Sequence, residues 1–367
     1  MAGQPSAWGA VGAAKADANQ ARVGSENAAS GSSTTPPPYR PPTTPGGPTV
    51  SPMAHPFRFG VELKVPLPGL TWPQTAKRLE DLGFSNLVMP DHFDEQLAVG
   101  PGLAAAAAAT TTLRFSAFVY GNGYRHPVMV AKEVATLDVL SGGRMDLGLG
   151  AGWKRVDYDE AGMQYDPPGV RVDRMVESLH IIRALFEDGP VTFEGEHYTI
   201  RGLEGLPKPV QSPVPVAIGG GGRRMLTLAG RHADIVGVNA NLRSGEIGLD
   251  AMNDVLGADR FDTKLEWVRE GAGDRFDQLV LNVLIAAWQI TGGGQATTEA
   301  MEATASMFGQ PPEVLADVPL LLIGSPAEIA DSLRQRRERW GFSYMVLGAT
   351  NTDIEAFAPV IAELDGE

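Results

Sequence analysis

Residues 125–153 read RHPVMVAKEVATLDVLSGGRMDLGLGAGW, and this stretch decides the fold. Apolar residues between positions 128 and 140 recur at helical spacing, and Ser141-Gly142-Gly143 supplies the left-handed turn that ends a helix. Met145–Gly150 is then a short strand whose glycines allow another backbone or a ligand to approach closely. The order of helix, turn, strand and Gly-rich turn predicts a segment of a β/α barrel, with a ligand loop at the carboxyl end of its strand.

From residue 57 onward the chain alternates between strand and helix signals. Strands are expected at residues 58–63, 86–89, 113–120, 145–149, 214–218, 235–238, 279–286 and 344–347. Helices are expected at residues 72–82, 103–110, 127–140, 172–187, 223–230, 261–269 and 327–340. This alternation favours an α/β fold, a single closed (β/α)8 TIM barrel, over an open doubly wound sheet.

Two connections are longer than a barrel requires, and they predict insertions after strands 4 and 6. Residues 153–213 contain a helix and then a stretch at 191–200 whose Gly195 suggests a small hairpin. Residues 239–278 mix glycine, aspartate and arginine with helical pieces. Because both connections follow strands, and because long loops on barrels are usually lids or disordered, both are expected at the catalytic rim.

Residues 1–55 are rich in Pro, Ala, Gly and Ser and have few large apolar groups, so they predict a disordered tail before one domain at 56–367. The 367-residue chain has 30 Lys+Arg against 44 Asp+Glu, a net charge of −14 that argues against a nucleic-acid partner. Having no cysteine, it excludes disulfides, thiolate nucleophiles and iron–sulfur clusters. With no apolar run of about 18 residues and no evident secretory signal, a cytoplasmic location without membrane contact is expected.

Five sequence blocks carry a resemblance to a known family. They are VMPDHF at 88–93, RHP at 125–127, SGGR at 141–144, PVPVAIGG at 213–220 and IGSP at 323–326. In this order and spacing they resemble the bacterial luciferase-like monooxygenase superfamily, and most strongly its branch that uses the deazaflavin coenzyme F420. The resemblance spans about residues 57 to 364. It implies a homodimeric oxidoreductase that transfers a hydride between F420 and a small organic substrate.

Asp91 and His92 follow the second expected strand. Histidine titrates near neutrality and can transfer a proton, while a neighbouring carboxylate can hold a cofactor hydroxyl or ring nitrogen. A rim histidine bonded to a nearby loop is the alternative. The resemblance implies that the Asp91-His92 pair lies against the cofactor ring, with His92 as the proton-transfer group.

The end of the third expected strand, around Ala117 and Phe118, is a second candidate for cofactor contact. The resemblance implies a non-prolyl cis peptide that backs the cofactor ring. We place it at the Ala117–Phe118 bond, with the next bond as the alternative. An ordinary strand with a bulky core residue is the other interpretation.

Four glycines, Gly219, Gly220, Gly221 and Gly222, follow the fifth expected strand and precede a helix that starts at Arg223. Successive glycines let backbone N–H groups converge on an anion, helped by the positive end of the helix, and Arg223 could add charge. This order predicts a phosphate site. The resemblance implies that its phosphate is the one on the ribityl chain of the cofactor.

The loop after the fourth strand completes the candidate cofactor site with Gly150, Gly152, Trp153 and Tyr158. In the sugar-phosphate dehydrogenase branch of the superfamily a proton-donating glutamate stands where this chain has Trp153, so that activity is not carried over. Asp157 is expected to be a solvated loop residue. Arg171, Arg174 and Glu177 are expected to form a salt-linked surface face.

Two other functions stay open from the sequence. One is an FMN-dependent monooxygenase that uses the same phosphate site and molecular oxygen. The other is a barrel that binds flavin without turnover, against which the Asp91-His92 pair argues. The histidines show no metal-ligand spacing, so no metal site is expected.

Overall fold

The computed structural model describes residues 55–348 and 353–367. Residues 1–54, which hold nearly all of the tail expected to be disordered, lie outside the described residues, as do residues 349–352. None of the helices in the described part of the chain is long and apolar enough to cross a membrane.

Within residues 55–348, eight parallel strands form a closed barrel. In chain order they are β1 (Arg58–Glu62), β2 (Asn86–Met89), β3 (Arg114–Ala117), β4 (Met145–Gly150), β5 (Val216–Gly220), β6 (Ile235–Val238), β7 (Val280–Ile285) and β8 (Phe342–Leu347). Each strand pairs with the next along the chain, and β8 returns to β1 with Val346 opposite Gly60. The predicted closed barrel is therefore confirmed, and the doubly wound alternative is wrong.

Helices follow the strands and cover the outside of the barrel. They are α1 (Trp72–Asp81), α2 (Val99–Ala109), α3 (Pro127–Ser141), α4 (Pro168–Phe186), α5 (Arg223–His232), α6 (Ala258–Ala272), α7 (Pro326–Trp340) and α8 (Ala358–Leu364). The helix α3 begins after His126, whose side chain accepts from the Val128 N–H, and ends at Gly142 with φ of 68°. The left-handed stop predicted at residues 141–143 is confirmed.

Alternation along the strands separates two layers of side chains. On β1, Phe59 and Val61 point outward into the apolar layer between strands and helices. Arg58 and Gly60 point inward, since Arg58 reaches Asp146 at 3.8 Å and a Cβ on Gly60 would meet the Tyr344 ring. The inward residues decide what the barrel can hold.

The connection after β4 contains a short helix, Arg155–Ala161, before α4, and an antiparallel hairpin, Val191–Glu194 with Thr199–Leu203, after it. The predicted hairpin around Gly195 is confirmed. Glu177 on α4 accepts hydrogen bonds from three successive N–H groups at the hairpin tip, residues 196–198, at 2.7–3.2 Å. Glu177 therefore anchors the hairpin, which differs from the surface ion pair expected for it.

A second departure from the barrel pattern follows β7. Here Ala287–Ile290 and Leu321–Gly324 form a two-stranded parallel sheet, with helices Gln295–Phe308 and Pro312–Ala316 between them. The sequence did not predict this insertion. The long connection expected after β6 proves to contain the regular barrel helix α6, preceded by the short helix Leu249–Asn253.

Candidate functional site at the barrel mouth

The inside of the barrel is filled, which leaves the mouth as the place for a ligand. We use "mouth" for the carboxyl ends of β1–β8 and the loops that follow them. At the opposite end Arg58 and Arg114 both pair with the buried Asp146. The interior cavity above this pair measures about 10 Å³, room for roughly one water molecule. A cofactor-sized molecule therefore does not fit inside the barrel, and the mouth is the candidate site.

A backbone bulge after β3 forms one wall of the mouth. The peptide between Phe118 and Val119 is cis, so the placement at Ala117–Phe118 was wrong by one bond and the stated alternative is confirmed. Ala117 is buried, and Phe118 packs on the inward-facing apolar residues of the barrel. On β4, a Cβ on Gly150 would lie 2.4 Å from the Val119 Cγ2 atom. Only glycine at position 150 leaves room for the bulge.

His92 lies in the loop after β2 and forms a close pair with Asp157. Its Nδ1 lies 2.6 Å from Asp157 Oδ2, and the Tyr124 hydroxyl donates to the same oxygen at 2.9 Å. Lys154 approaches the other carboxylate oxygen at 3.3 Å. Asp157 is 3% exposed, so the expectation that it is a solvated loop residue was wrong.

The contacts of this pair determine the protonation of the imidazole. Burial lowers the pKa of His92 below its usual value, although the hydrogen bond and charge of Asp157 oppose that shift. Hydrogen bonds from His92 and Tyr124 lower the pKa of Asp157 against the effect of its burial. An ionised carboxylate only accepts, so His92 donates from Nδ1 and keeps the lone pair of Nε2 for a ligand.

Asp91 has different hydrogen-bond partners from its neighbour His92. It is buried, and its carboxylate accepts from Arg125 at 3.0 and 3.1 Å and from the Gly121 N–H at 3.1 Å. These bonds tie the loop after β2 to the loop after β3. The contact of Asp91 with a cofactor stays a prediction.

The loop after β4 brings together the other three predicted residues. The Trp153 ring meets the His92 ring edge-on, with centroids 5.5 Å apart. Gly152 has φ of 78°, and a Cβ there would lie 2.0 Å from the Tyr158 hydroxyl oxygen. Tyr158 is buried beneath the loop, and its hydroxyl has no hydrogen-bond partner among the described residues.

Arg171 supports the same loop from α4. It is 5% exposed, donates to the Gly152 carbonyl through Nη1, and donates to the Asp166 carbonyl through Nε at 3.0 Å. The expectation that Arg171 belongs to an exposed salt-linked face was wrong. Arg174 does form an ion pair, with Asp166.

Glu62 at the end of β1 is a candidate that the sequence analysis missed. It follows Arg58 and Gly60 at the two-residue spacing of inward positions, and its half-buried carboxylate forms no hydrogen bond or ion pair with a described residue. Burial raises its pKa to about 7, with Lys64 opposing and Asp94 adding to the shift. The spacing from Gly60 was the signal that could have found it.

The four glycines form the opposite side of the mouth. Gly219 and Gly220 end β5, and the N–H groups of Gly221 and Gly222 make no hydrogen bond to any described residue. The Asn239 amide lies over Gly219, and its Oδ1 is buried without a described partner. This loop keeps free donors and acceptors at the start of α5.

The charge of Arg223 is not directed toward the four glycines. Its side chain is exposed and donates to Glu270 on α6 at 2.9 Å. No group of three His, Cys, Asp or Glu side chains within residues 55–348 and 353–367 is arranged to hold a metal ion.

Comparison with known proteins agrees with this architecture. The sequence profile of the luciferase-like monooxygenases matches residues 56–263. The 5,10-methylenetetrahydromethanopterin reductase of Archaeoglobus fulgidus is 32% identical over 185 residues, which cover 50% of this chain and 54% of that protein. The chain thus spans about half the length of this curated relative.

Solved structures show the same fold at low sequence identity. The coenzyme F420 dependent tetrahydromethanopterin reductase of Methanopyrus kandleri superposes with a TM-score of 0.62 at 20% identity, covering 83% of this chain and 97% of that one. The oxygenating constituent of 3,6-diketocamphane monooxygenase from Pseudomonas putida, in complex with FMN, has a TM-score of 0.60 at 18% identity. That match covers 85% of this chain and 98% of the other.

Proposed function

Because this chain belongs to the luciferase-like monooxygenase family, we propose that it is an oxidoreductase that binds F420 at its barrel mouth and exchanges a hydride with a small organic substrate. The observation that carries the proposal is the His92–Asp157 pair, which presents a neutral imidazole at the mouth. The F420 dependence named for the Methanopyrus kandleri reductase supports the choice of cofactor.

The residues at the mouth fit a phosphorylated tricyclic cofactor. The free N–H groups of Gly221 and Gly222 and the start of α5 suit its phosphate. The buried, unpartnered Oδ1 of Asn239 suits a donor on the cofactor. The bulge at Phe118 and the His92 side chain would hold its ring. When bound, F420 supplies a carbon centre that moves two electrons as hydride.

The protein must then handle one proton. Oxidation of an alcohol carbon releases a hydroxyl proton together with the hydride, and the Nε2 atom of His92 is the acceptor at the mouth. The negative charge of Asp157 stabilises the imidazolium that results. Glu62, whose pKa of about 7 lies near neutrality, is a second group able to exchange a proton there.

The test is cofactor binding followed by turnover. The protein is titrated with F420 and with FMN, and the F420 absorbance is then followed anaerobically with a panel of small alcohols, and with reduced F420 and a panel of ketones and enones. We expect tight F420 binding and a change in absorbance that His92→Gln abolishes without loss of binding. Binding of FMN alone, with transfer of an oxygen atom from molecular oxygen to a substrate when FMN is reduced, would instead support the monooxygenase. Failure to bind either cofactor would overturn both functions.

A further inference from the structure

A buried lysine on α6 holds the glycine loop from behind. Lys264 is 1% exposed, and its ammonium group donates to the carbonyl oxygens of Gly221 at 3.2 Å and of Asn239 at 2.8 Å. It also forms a close ion pair with Asp254. One cation therefore joins the loop after β5 to the loop after β6.

Asp254 extends this connection. Its carboxylate accepts from the backbone N–H of Asn241 at 2.8 Å. Gly221 is packed so tightly against the same segment that an added Cβ would lie 2.2 Å from the carbonyl carbon of Ala240. The contacts of Lys264 and Asp254 thus fix the position of the two loops relative to each other.

Because of the geometry of the peptide unit, the contact with Lys264 sets the direction in which the Gly222 N–H points. The carbonyl of Gly221 and the N–H of Gly222 belong to one planar trans peptide, in which the two groups point in opposite directions. Because Lys264 binds the carbonyl, the N–H of Gly222 is turned away from the lysine. That N–H makes no hydrogen bond to a described residue, so it is available to a ligand.

We propose that Lys264 is a positioning residue that orients the glycine loop toward the phosphate of a flavin or deazaflavin cofactor. The inference rests on the proposed function, because that function assigns the phosphate to this loop. Lys264 acts through the peptide that it holds, because its own charge is paired with that of Asp254. Its loss should weaken binding only of ligands that carry the phosphate.

The experiment compares ligand pairs that differ in the phosphate. Affinities for FMN and riboflavin, and for F420 and its phosphate-free deazaflavin chromophore, are measured by fluorescence and calorimetry with the wild-type protein and Lys264→Met. We expect the variant to lose about tenfold or more in affinity for the phosphorylated member, the size usual for groups that orient a binding residue. Affinity for the phosphate-free member should change less than about twofold, within the noise of such coupling measurements.

Lys208 provides the matched control. Its ammonium group binds three backbone carbonyls, those of Leu185, Glu187 and Glu204, whereas the ammonium group of Lys264 binds two carbonyls and a carboxylate. Lys208 lies where α4 ends and the chain approaches β5. This is the end of the barrel away from the mouth. Lys208→Met therefore removes the same number of ammonium contacts and should leave the preference for phosphorylated ligands unchanged.

Each outcome decides the matter. If Lys264→Met loses equal affinity for both members of a pair, or loses affinity for neither, the role of Lys264 is overturned. The phosphate site itself still stands in that case if the wild-type protein prefers phosphorylated ligands. A wild-type protein without that preference removes the phosphate site and this inference with it. If Lys264→Met does not fold, Asp254→Asn loosens the same connection and keeps the lysine. It should reduce the same preference, and a preference equal to that of the wild-type protein overturns the proposal.

Discussion

The orientation of the His92 imidazole depends on a residue 65 positions away in the chain. The Asp157 carboxylate holds the proton on Nδ1 and leaves Nε2 as the free nitrogen. The two residues should therefore act as a unit. Removing the Asp157 carboxylate should weaken the ability of the His92 imidazole to accept a proton while the imidazole stays in place.

Asp157→Asn tests this unit. Because the carboxylate stabilises the imidazolium, we expect the pKa of His92 to fall further in the variant. Turnover of any substrate found should fall about 100-fold, the lower end of what a positioned acid or base contributes. Histidine NMR titration, with His92→Gln to assign the signal, measures the pKa. Asp159→Asn, on the exposed face of the same short helix, is the control, and an unchanged His92 pKa in Asp157→Asn would contradict the pairing.

Glu62 predicts an unusual dependence of stability on pH. Its pKa is raised from 4.5 to about 7, so between these values the native state holds a proton that the unfolded state releases. Wild-type stability therefore falls as pH rises through this window. Glu62→Gln removes that loss and should be more stable relative to wild type at pH 8 than at pH 4.5, by about 2 kcal/mol after allowance for partial exposure.

Urea denaturation of both proteins at the two pH values measures this difference in unfolding free energy. Glu302→Gln, on the exposed face of the helix Gln295–Phe308, should show no such trend. A constant difference between Glu62→Gln and wild type across pH would mean that Glu62 ionises normally.

At the residue scale, the sequence was sufficient to predict the location of His92 but not its contacts with Asp157 and Tyr124. A histidine directly after a barrel strand is placed at the mouth by topology alone. Asp157, by contrast, lies in a short helix with other acidic residues, and nothing in the sequence distinguishes a buried carboxylate from a solvated one there. The difference comes from packing against Tyr124 and His92, which only the folded chain brings together.

At the scale of elements, the loop after β4 is held by close packing between Gly152 and Tyr158. We expect Gly152→Ala to lower the unfolding free energy by about 2–3 kcal/mol, since it combines a left-handed backbone with a collision against the tyrosine hydroxyl. Tyr158→Phe alone should be nearly neutral, because the hydroxyl has no described partner to lose.

The double variant separates the two causes. Gly152→Ala with Tyr158→Phe should recover the part of the loss that comes from the hydroxyl and retain the backbone strain of about 1 kcal/mol. Thermal or urea unfolding of the four proteins gives the coupling energy. Strict additivity would show that the hydroxyl does not limit the space at position 152.

Elements with strong local signals were predicted well. The helix α3 has proline at its start and Gly142 at its end, and the structure places both as expected. The insertion after β7 was missed because Ala287 continues an apolar strand pattern directly from β7, so the break at Ala286 has no sequence marker. Among the described residues, these two short strands pair with each other alone, through a contact between residues 287–290 and 321–324.

At the scale of the whole molecule, the buried His232 on α5, which faces the half-buried His180 on α4, predicts sensitivity to acid. The rings of His180 and His232 lie 5.7 Å apart, near the positive charges of Arg183, Arg231 and Arg275. Burial, aided by these charges, lowers the pKa of His232 to about 4. Below pH 6.5 His232 is protonated in the unfolded state but stays neutral in the native state, so stability falls as the pH drops toward 4.

His232→Phe should remove most of this sensitivity. Between pH 7.5 and pH 5 the wild-type protein should lose about 2 kcal/mol more unfolding free energy than the variant. Urea denaturation at both pH values checks the difference, and His197→Phe at the hairpin tip serves as the control. Equal losses in wild type and His232→Phe would assign the acid sensitivity to other groups.

Because the interior of the barrel is filled, the mouth is its one accessible end. Arg58, Arg114 and Asp146 close the far end, so nothing can pass through the cylinder. A cofactor and a substrate stacked at this mouth, one against the barrel floor and one over it, would have to bind in sequence. The ligand that lies against the barrel floor would bind first and dissociate last, and steady-state kinetics should show a compulsory order of binding.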